Sequence, residues 1–503
     1  MTPTPQQRTP QQRAFLTVLT TTTANLALVA RAGCGKTSTI LLAVDAATQQ
    51  NPRAEILVCA YNKAIADEVS QKLKERGHTD WRTVQASTAH ALGFGLLKFV
   101  FKPQVDDKKV ANLIAAQNEE VFSQYGSQIA QLVRYAKQAA FGFFAGIGDA
   151  SAWYHLADHF DINGFDDTSS MDEVIQAAQT IYKLSLNQTD VVDFDDMIIF
   201  PLIKNLRVKF TKDLIFVDEY QDISPARAAL IRKFLGTKGR IVLVGDDRQA
   251  IYGFSGADAQ ALPNGIAHHN CTVLPLSVTW RCPKAVVRLA QTLVPDIEAA
   301  PEALEGEVNH IAGFDDETIA SITKQDAILC RNTAPLIKLA YKLIRAGKPC
   351  KVEGRAIGDG LVALVRRWKV TTIAAFLTRL DAYQDREVGK ALAKGNDTKV
   401  EEVEDRCQTL REIANAVQLQ GKQQVADMVM FIQTLFADGA ENVTVLATYH
   451  RSKGREWPHV YLYEHRTRCP SKAARQEWQK QQEANLAYVA FSRAMEKLTF
   501  VGA

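Results

Sequence analysis

The chain has 503 residues and a formal net charge of +3, too long for one growing hydrophobic core and too weakly basic for charge alone to announce a nucleic-acid partner. With 47% hydrophobic and 23% charged residues and no apolar run long enough to cross a bilayer, it reads as an ordinary globular protein with no membrane role. Its eight cysteines include no Cys-x-x-Cys pair, which excludes the usual spacing of a zinc ribbon or iron–sulfur cluster and makes free thiols the expectation.

The start carries a repeated pentad, residues 4–8 and 9–13, whose prolines argue against one continuous helix through both copies. The residues after Met1 lack the apolar stretch of a secretory signal, so a cytoplasmic location is expected. Residues 25–30 predict a buried strand, 36–47 a helix and 55–59 a second apolar strand, the rhythm of a parallel sheet. It returns at 214–217, 241–244, 327–330, 443–447 and 459–462. Two stretches break it: 106–186 and 361–438 show helical spacing of apolar residues, with Ile373, Phe376, Leu377 and Leu380 expected to be core. The economical fold is α/β, with two parallel-sheet domains each interrupted by a mostly helical insertion. The expected boundaries are 1–101 with 191–275 and 276–354 with 441–503 for the sheet domains, and 102–190 and 355–440 for the insertions.

Between the first strand and helix lies Ala30-Arg31-Ala32-Gly33-Cys34-Gly35-Lys36-Thr37. A glycine-bearing loop that leads into a helix N-terminus cradles phosphate with backbone N–H groups, here from Ala32 through Gly33, Cys34, Gly35, Lys36, Thr37 and Ser38. Lys36 reaches the β and γ phosphates, and the Thr37 hydroxyl binds Mg²⁺. The second half of an NTPase site follows the strand at 214–217, which delivers Asp218 to the metal and Glu219 to the attacking water. A nucleoside triphosphate with Mg²⁺ is therefore the expected ligand.

Further blocks follow: Val244-Gly-Asp-Asp-Arg-Gln249-Ala-Ile-Tyr252-Gly-Phe254-Ser-Gly256-Ala257, Trp280-Arg281, Thr448-Tyr-His450-Arg-Ser-Lys453-Gly454-Arg-Glu456-Trp457 and Glu483-Ala-Asn-Leu486-Ala-Tyr-Val489-Ala-Phe-Ser-Arg493-Ala494. In order and spacing they resemble superfamily 1A helicases of the UvrD, Rep and PcrA type, in a compact form, and Tyr61-Asn62-Lys63-Ala64 with Thr88-Ala89-His90 adds a local likeness to the F-box DNA helicases. The resemblance implies two RecA-like motor domains, ATP as the triphosphate and a role for each block. Gln12 is the implied adenine reader, with Gln7 in the duplicated pentad as its rival. Trp280 offers a face to the adenine ring, Glu456 a ribose-side contact and Gln249 a sensor of the γ-phosphate or attacking water. Arg281 and Arg493 serve the γ-phosphate, so that ATP bridges the two motor domains and hydrolysis becomes a hinge motion. Arg31 stands where that family usually has glycine, and its contacts are left open.

For DNA, the resemblance points to Tyr61, Asn62 and Lys63, to Ser87, Thr88 and His90, to Tyr252 and Phe254, and to His450 and Arg451. Tyr61 is displaced by one residue from the family's aromatic, which leaves stacking and packing both open. Tyr252 and Phe254 are read as base-stacking groups, with ordinary core aromatics as the alternative. Asp193-Phe194-Asp195-Asp196 is read as structural rather than as a separate metal or nuclease site. Arg466, Arg468, Lys472, Arg475 and Lys480, interleaved with Trp478, form either a solvated face or an element that meets the duplex fork.

The function implied is an ATP-dependent single-stranded DNA translocase and helicase, 3′-to-5′ by resemblance, working at single-/double-strand junctions in repair, recombination or replication. A translocase that strips proteins from single strands, and a non-motor NTP-binding subunit of a repair or defence complex, are the competing readings. A bacterial or phage origin, protein partners such as a nuclease or single-strand-binding protein, and a monomer or weak DNA-induced dimer complete the expectation. The end soon after Phe500 is read as leaving no room for a C-terminal nuclease.

Overall fold

The structure is a computed structural model that describes residues 8–160, 162, 168–253, 260–393, 396–437 and 442–502. It divides into two compact units, Met1–Ser277 and Val278–Ala503.

In the first unit, helix α1 (Pro10–Thr21) begins inside the second pentad, with Thr9 as N-cap and Pro10 in the first turn, where its missing N–H costs nothing. The chain continues through β1 (Leu26–Ala30), α2 (Lys36–Gln50), β2 (Ile56–Ala60), α3 (Lys63–Glu75), β3 (Val84–Thr88) and α4 (Ala89–Val100). An excursion of helices α5 (Lys109–Ala115), α6 (Glu120–Gln138), α7 (Ala150–His159) and α8 (Thr168–Asn187) is entered through β4 (Gln104–Val105) and left through β5 (Val191–Val192). These two short strands pair with each other in parallel. The unit closes with α9 (Phe194–Ile203), β6 (Lys212–Val217), α10 (Pro225–Lys233), β7 (Leu235–Gly245), α11 (Ala261–His269) and β8 (Thr272–Leu276).

The sheet is parallel with order β3-β2-β6-β7-β1-β8. Because side chains alternate between faces, the apolar runs divide into two cores. Ala27, Leu57, Ile215 and Leu243 join the insertion helices on one side. Leu28, Val58, Phe216 and Val244 pack against Phe15 and Leu19 of α1 and Ile40 and Val44 of α2 on the other. Inside the insertion, Trp153 lies edge-on to Phe141 and Tyr182, and the Tyr182 hydroxyl donates to the Phe141 carbonyl at 2.6 Å.

The Asp193 segment proves to be an internal ion network. Lys137 Nζ lies 2.6 Å from Asp193 Oδ2 and 2.7 Å from Asp196 Oδ1, and Lys109 Nζ lies 2.7 Å from Asp196 Oδ2. Asp193 and Asp196 also cap α9 reciprocally. Burial works to lower the Lys137 pKa, but the two carboxylates outweigh it and hold the ammonium charged. Asp193 and Asp196 are thus engaged by lysines, and Asp195 accepts from Gln138 Nε2 at 3.2 Å. Among the described residues no cluster of three or more His, Cys, Asp or Glu side chains could hold a metal.

Helix α4 crosses α9 so closely that a Cβ on Gly93 would stand 1.9 Å from the Met197 carbonyl oxygen. Gly93→Ala is therefore expected to destabilise the first unit by about 1–3 kcal/mol, the range for overpacking a filled core, read as a lower urea midpoint; an unchanged midpoint would contradict this contact.

The second unit starts with β9 (Val278–Thr279), α12 (Lys284–Ala290), β10 (Glu298–Ala299), β11 (Glu307–Ile311), α13 (Asp316–Ser321), β12 (Asp326–Cys330), α14 (Thr333–Arg345) and β13 (Cys350–Val352). Helices α15 (Arg355–Arg367), α16 (Ile373–Ala393), α17 (Asp397–Gln418) and α18 (Val425–Leu435) follow. Then come β14 (Thr444–Thr448), α19 (Tyr449–Ser452), β15 (Trp457–Tyr463), α20 (His465–Arg468), α21 (Glu477–Phe491) and β16 (Ala494–Val501). The main sheet is again parallel, in order β11-β16-β15-β12-β14-β13. Ile373, Phe376 and Leu380 are fully buried with Leu410, Ile413 and Met428, and Leu377 packs against them at the edge. Two parallel-sheet α/β units, each interrupted by helices, are what the sequence leads one to expect. The eight cysteines are free, and among the described residues no helix is long and apolar enough to cross a membrane.

Candidate functional site

Strand β1 ends at Ala30, and the loop to α2 turns on Gly33 (φ 72°) and Gly35 (φ 80°), left-handed conformations that glycine adopts without strain. Gly35 is the N-cap of α2 and offers no side-chain cap, so the first-turn N–H groups converge on the loop as an anion cradle. Ala32 and Cys34 are buried, Thr37 is half-buried and Ser38 is exposed.

Lys36 Nζ lies 2.8 Å from Glu219 Oε1. Burial acts to lower its pKa, yet Glu219, Asp218 and Asp246 together raise it above the ordinary lysine value, so the ammonium stays charged. Asp218 directly follows β6, and its Oδ1 accepts from the Glu219 N–H at 3.0 Å. Glu219 itself has φ 51° and ψ 44°, an uncommon conformation for a non-glycine residue that aims its carboxylate at Lys36. The Gln221 amide donates to the other Glu219 carboxylate oxygen and accepts from the Asp246 N–H at 3.0 Å. Gly245 makes room for this amide: a Cβ there would come 2.4 Å from Gln221 Oε1. Gln249 Nε2 donates to Asp246 Oδ2 at 2.7 Å. Gln221, given no role from the sequence, thus sits at the centre of the network; its place two residues after a candidate base was the available signal.

Gln12 lies beside the loop, its Nε2 3.7 Å from where a Gly35 Cβ would stand. Its amide closes a capping box with Thr9 and donates to Thr39 Oγ1 at 3.0 Å. Each end of that amide thus has one partner within the chain, which leaves the second N–H and the second oxygen lone pair for a ligand. The rival Gln7 lies outside the described residues. Arg31 points to the carboxylates of Asp246 and Asp247, at 2.8 and 2.6 Å.

Of the candidate DNA residues in this unit, Tyr61 and Tyr252 are parallel at 9° with centroids 6.2 Å apart, and Arg227 lies 5.8 Å over the Tyr61 ring. Arg227, on α10, was not foreseen; it lines a small pocket with Tyr61, His90 and Asp218. Asn62 and Thr88 cap α3 and α4 with their side chains. Ser87 is half-buried at the end of β3. Lys63 is exposed and pairs with Asp67 at 2.7 Å. His90 stands edge-on to Phe194, and burial with the nearby Arg227 pushes its pKa down to about 4, so it is neutral near pH 7. Phe254 lies outside the described residues.

Within the second unit, Arg281 Nε pairs with Glu456 Oε2 and its Nη1 donates to the Ser492 carbonyl at 3.4 Å. Glu456, expected at a ribose, thus holds an arginine. Arg493 is 1% exposed, and its guanidinium donates to the carbonyls of Val489 and Arg455 at 2.8 and 3.0 Å and to Ser492 Oγ at 2.9 Å. Trp280 is 40% exposed, unusual for so large an apolar group. His450 is half-buried, with desolvation of its ring pushing its pKa down to about 3, whereas Arg451 is exposed. In the basic stretch Arg468, Arg475 and Lys480 face Glu464, Asp397 and Glu477, so part of its charge is neutralised, and Trp478 is half-buried.

The sequence matches the UvrD/REP helicase N-terminal domain over residues 9–268 and the UvrD-like helicase C-terminal domain over residues 364–503. It is 26% identical over 275 residues to DNA helicase IV of Escherichia coli (strain K12), covering 46% of this chain and 39% of that protein. It is 21% identical over 450 residues to DNA helicase II of Salmonella typhimurium, covering 65% and 62%. Over 98 residues it is 32% identical to ATP-dependent DNA helicase Rep of Escherichia coli (strain K12), covering 18% and 15%. The matches span less than two thirds of the length of each of these relatives. With a phosphate loop after β1, a carboxylate pair just after β6 in the same parallel sheet with β7 between them, and both halves of the family's domain pattern present, the chain belongs to the UvrD/Rep helicase family.

Proposed function

We propose that the chain is an ATP-driven translocase on single-stranded DNA that separates strands at junctions. The observation that carries this reading is the hydrogen-bonded series Lys36, Glu219, Gln221, Asp246 and Gln249, built onto an uncapped helix N-terminus. ATP binds with its phosphates on the loop from Ala32 to Ser38 and on Lys36, and with its adenine at Gln12. Thr37 and Asp218 suit Mg²⁺, which usually takes one or two protein oxygens and keeps several waters; when bound, it offsets phosphate charge. Glu219 orients and deprotonates the attacking water, and Gln249 senses the γ-phosphate or that water. Within the second unit, the carbonyls and carboxylate that hold Arg281 and Arg493 keep both guanidiniums preorganised for an anionic ligand.

Tyr61 and Tyr252 offer parallel rings to the bases, and Arg451 and Lys63 serve the phosphates. Asn62 and Thr88 act mainly by holding their helices in place, and neutral His90 and His450 can offer only uncharged hydrogen bonds. Stripping of bound proteins from single strands uses the same machinery and is the second reading. The pairing of Lys36 with Glu219 and of Gln249 with Asp246 favours a hydrolytic site over a passive nucleotide-binding subunit.

Movement is proposed to be 3′ to 5′. Duplexes with a 3′ single-stranded tail are expected to be unwound with ATP, and those with a 5′ tail left closed. Opening of 5′-tailed duplexes alone would reverse the polarity. Displacement of a bound protein from single strands without opening either duplex would favour the stripping reading.

A further inference from the structure

The phosphate loop carries an arginine whose side chain pairs with two aspartates of the turn after β7. Arg31 Nη1 lies 2.8 Å from Asp246 Oδ1 and 2.6 Å from Asp247 Oδ1, and its backbone N–H donates to the Leu276 carbonyl at 2.9 Å, which ties it to the end of β8. Arg31 and Asp246 are both buried. Asp246 is the hub of the turn after β7: its side chain accepts from Arg31, Gln249 Nε2 and the Arg248 N–H, and its own N–H meets Gln221. An ionised carboxylate can only accept, so Gln249 must present its Nε2 to Asp246 and hold Oε1 at the opposite end.

We propose that Arg31 is a positioning residue of the nucleotide site, which clamps the Asp246–Asp247 turn to the phosphate loop and, through Asp246, fixes the orientation of the Gln249 amide. Burial pushes Asp246 toward its neutral form, and Arg31 is the first charge that opposes this. A protonated Asp246 could donate as well as accept, and the Gln249 amide would then lose the constraint on which end faces it. The clamp deepens the proposed hydrolytic reading and rests on it, since it assigns Arg31 to the act of turnover rather than to ATP binding.

The test uses the full chain and four variants, Arg31→Ala, Arg31→Lys, Gln249→Ala and the double Arg31→Ala/Gln249→Ala, assayed for ATP turnover on oligo-dT. Arg31→Ala is expected to lower kcat by about tenfold or more with little change in KM for ATP, as for an interaction made mainly in the transition state. Arg31→Lys should restore part of the loss. The double variant should be hardly slower than Gln249→Ala alone, because the two act as one unit. A KM effect without a kcat effect, or full multiplication of the two losses, overturns the proposal. Hydrogen–deuterium exchange reads the clamp without turnover: residues 245–250 should lose protection in Arg31→Ala, and unchanged protection also overturns it. If the wild type bound ATP but did not hydrolyse it, the hydrolytic reading would fail while exchange still reported on the clamp. Should Arg31→Ala fail to fold, Arg31→Gln carries the same comparisons.

Discussion

Glu219→Gln is expected to reduce DNA-stimulated ATP turnover by about 10²–10⁴-fold, the loss that follows removal of a positioned general base, while ATP affinity stays the same or tightens. The change keeps shape and leaves an oxygen to accept from Gln221, so the network that joins β6 to the turn after β7 should survive. What goes is the negative charge 2.8 Å from Lys36. Glu219 is among the groups that raise the Lys36 pKa, so its loss weakens the internal competition for the ammonium and makes Lys36 more available to phosphate. Steady-state phosphate release and equilibrium binding of a fluorescent ATP analogue check the two halves separately. Near-normal turnover would remove Glu219 from the reaction; lost binding would recast it as a structural partner of Lys36.

Asp196→Ala should be the most damaging single change to stability outside the nucleotide site. It removes the carboxylate shared by Lys109 and Lys137, both buried, and the reciprocal cap at the start of α9. Breaking a buried pair while its partner stays buried costs about 3–5 kcal/mol. Hydrogen exchange should show α5, α6 and α9 opening together, since these helices supply the lysines and aspartates. A variant with wild-type melting and protection would mean that the lysines find other partners, such as the Ser185 and Gln188 carbonyls that Lys109 already meets. Asp196→Asn, which keeps the volume and one acceptor, should be milder.

How legible these features were in the sequence depended on burial and on distance along the chain. Strands β1, β2, β6 and β12 are covered on both faces, so they read as continuous apolar runs and could be found at once. Edge strand β3 has one buried residue, Val84, and the polar run after it hides a strand. Strand β16 lies inside its sheet, but after buried Ala494 it exposes Met495, Glu496 and Lys497, which conceals its length. The helical insertions were visible because a 3.6-residue period does not need a partner in view. The phosphate loop and the strand-borne Asp218–Glu219 pair were readable because their chemistry is local. Arg31 was not: its partners lie 215 and 216 residues away, and nothing in the loop signals a guanidinium that faces them. The same holds for Glu456, whose pairing with Arg281 spans 175 residues.

Strands β4 and β5 bring the two ends of the helical excursion side by side. A segment whose entrance and exit are neighbours can change length or sequence without pulling its host sheet apart, since closure entropy grows only slowly with the length of the closed loop. Such a seam is a natural grafting point, at which related chains could acquire larger or smaller attachments. Here the graft has become interdependent with its stock: the excursion shares a core with the sheet face beneath it, and its lysines neutralise the aspartates at the start of α9. A replacement would have to bring both an apolar cover and two buried cations, so this attachment is simple to exchange in topology and demanding to exchange in chemistry.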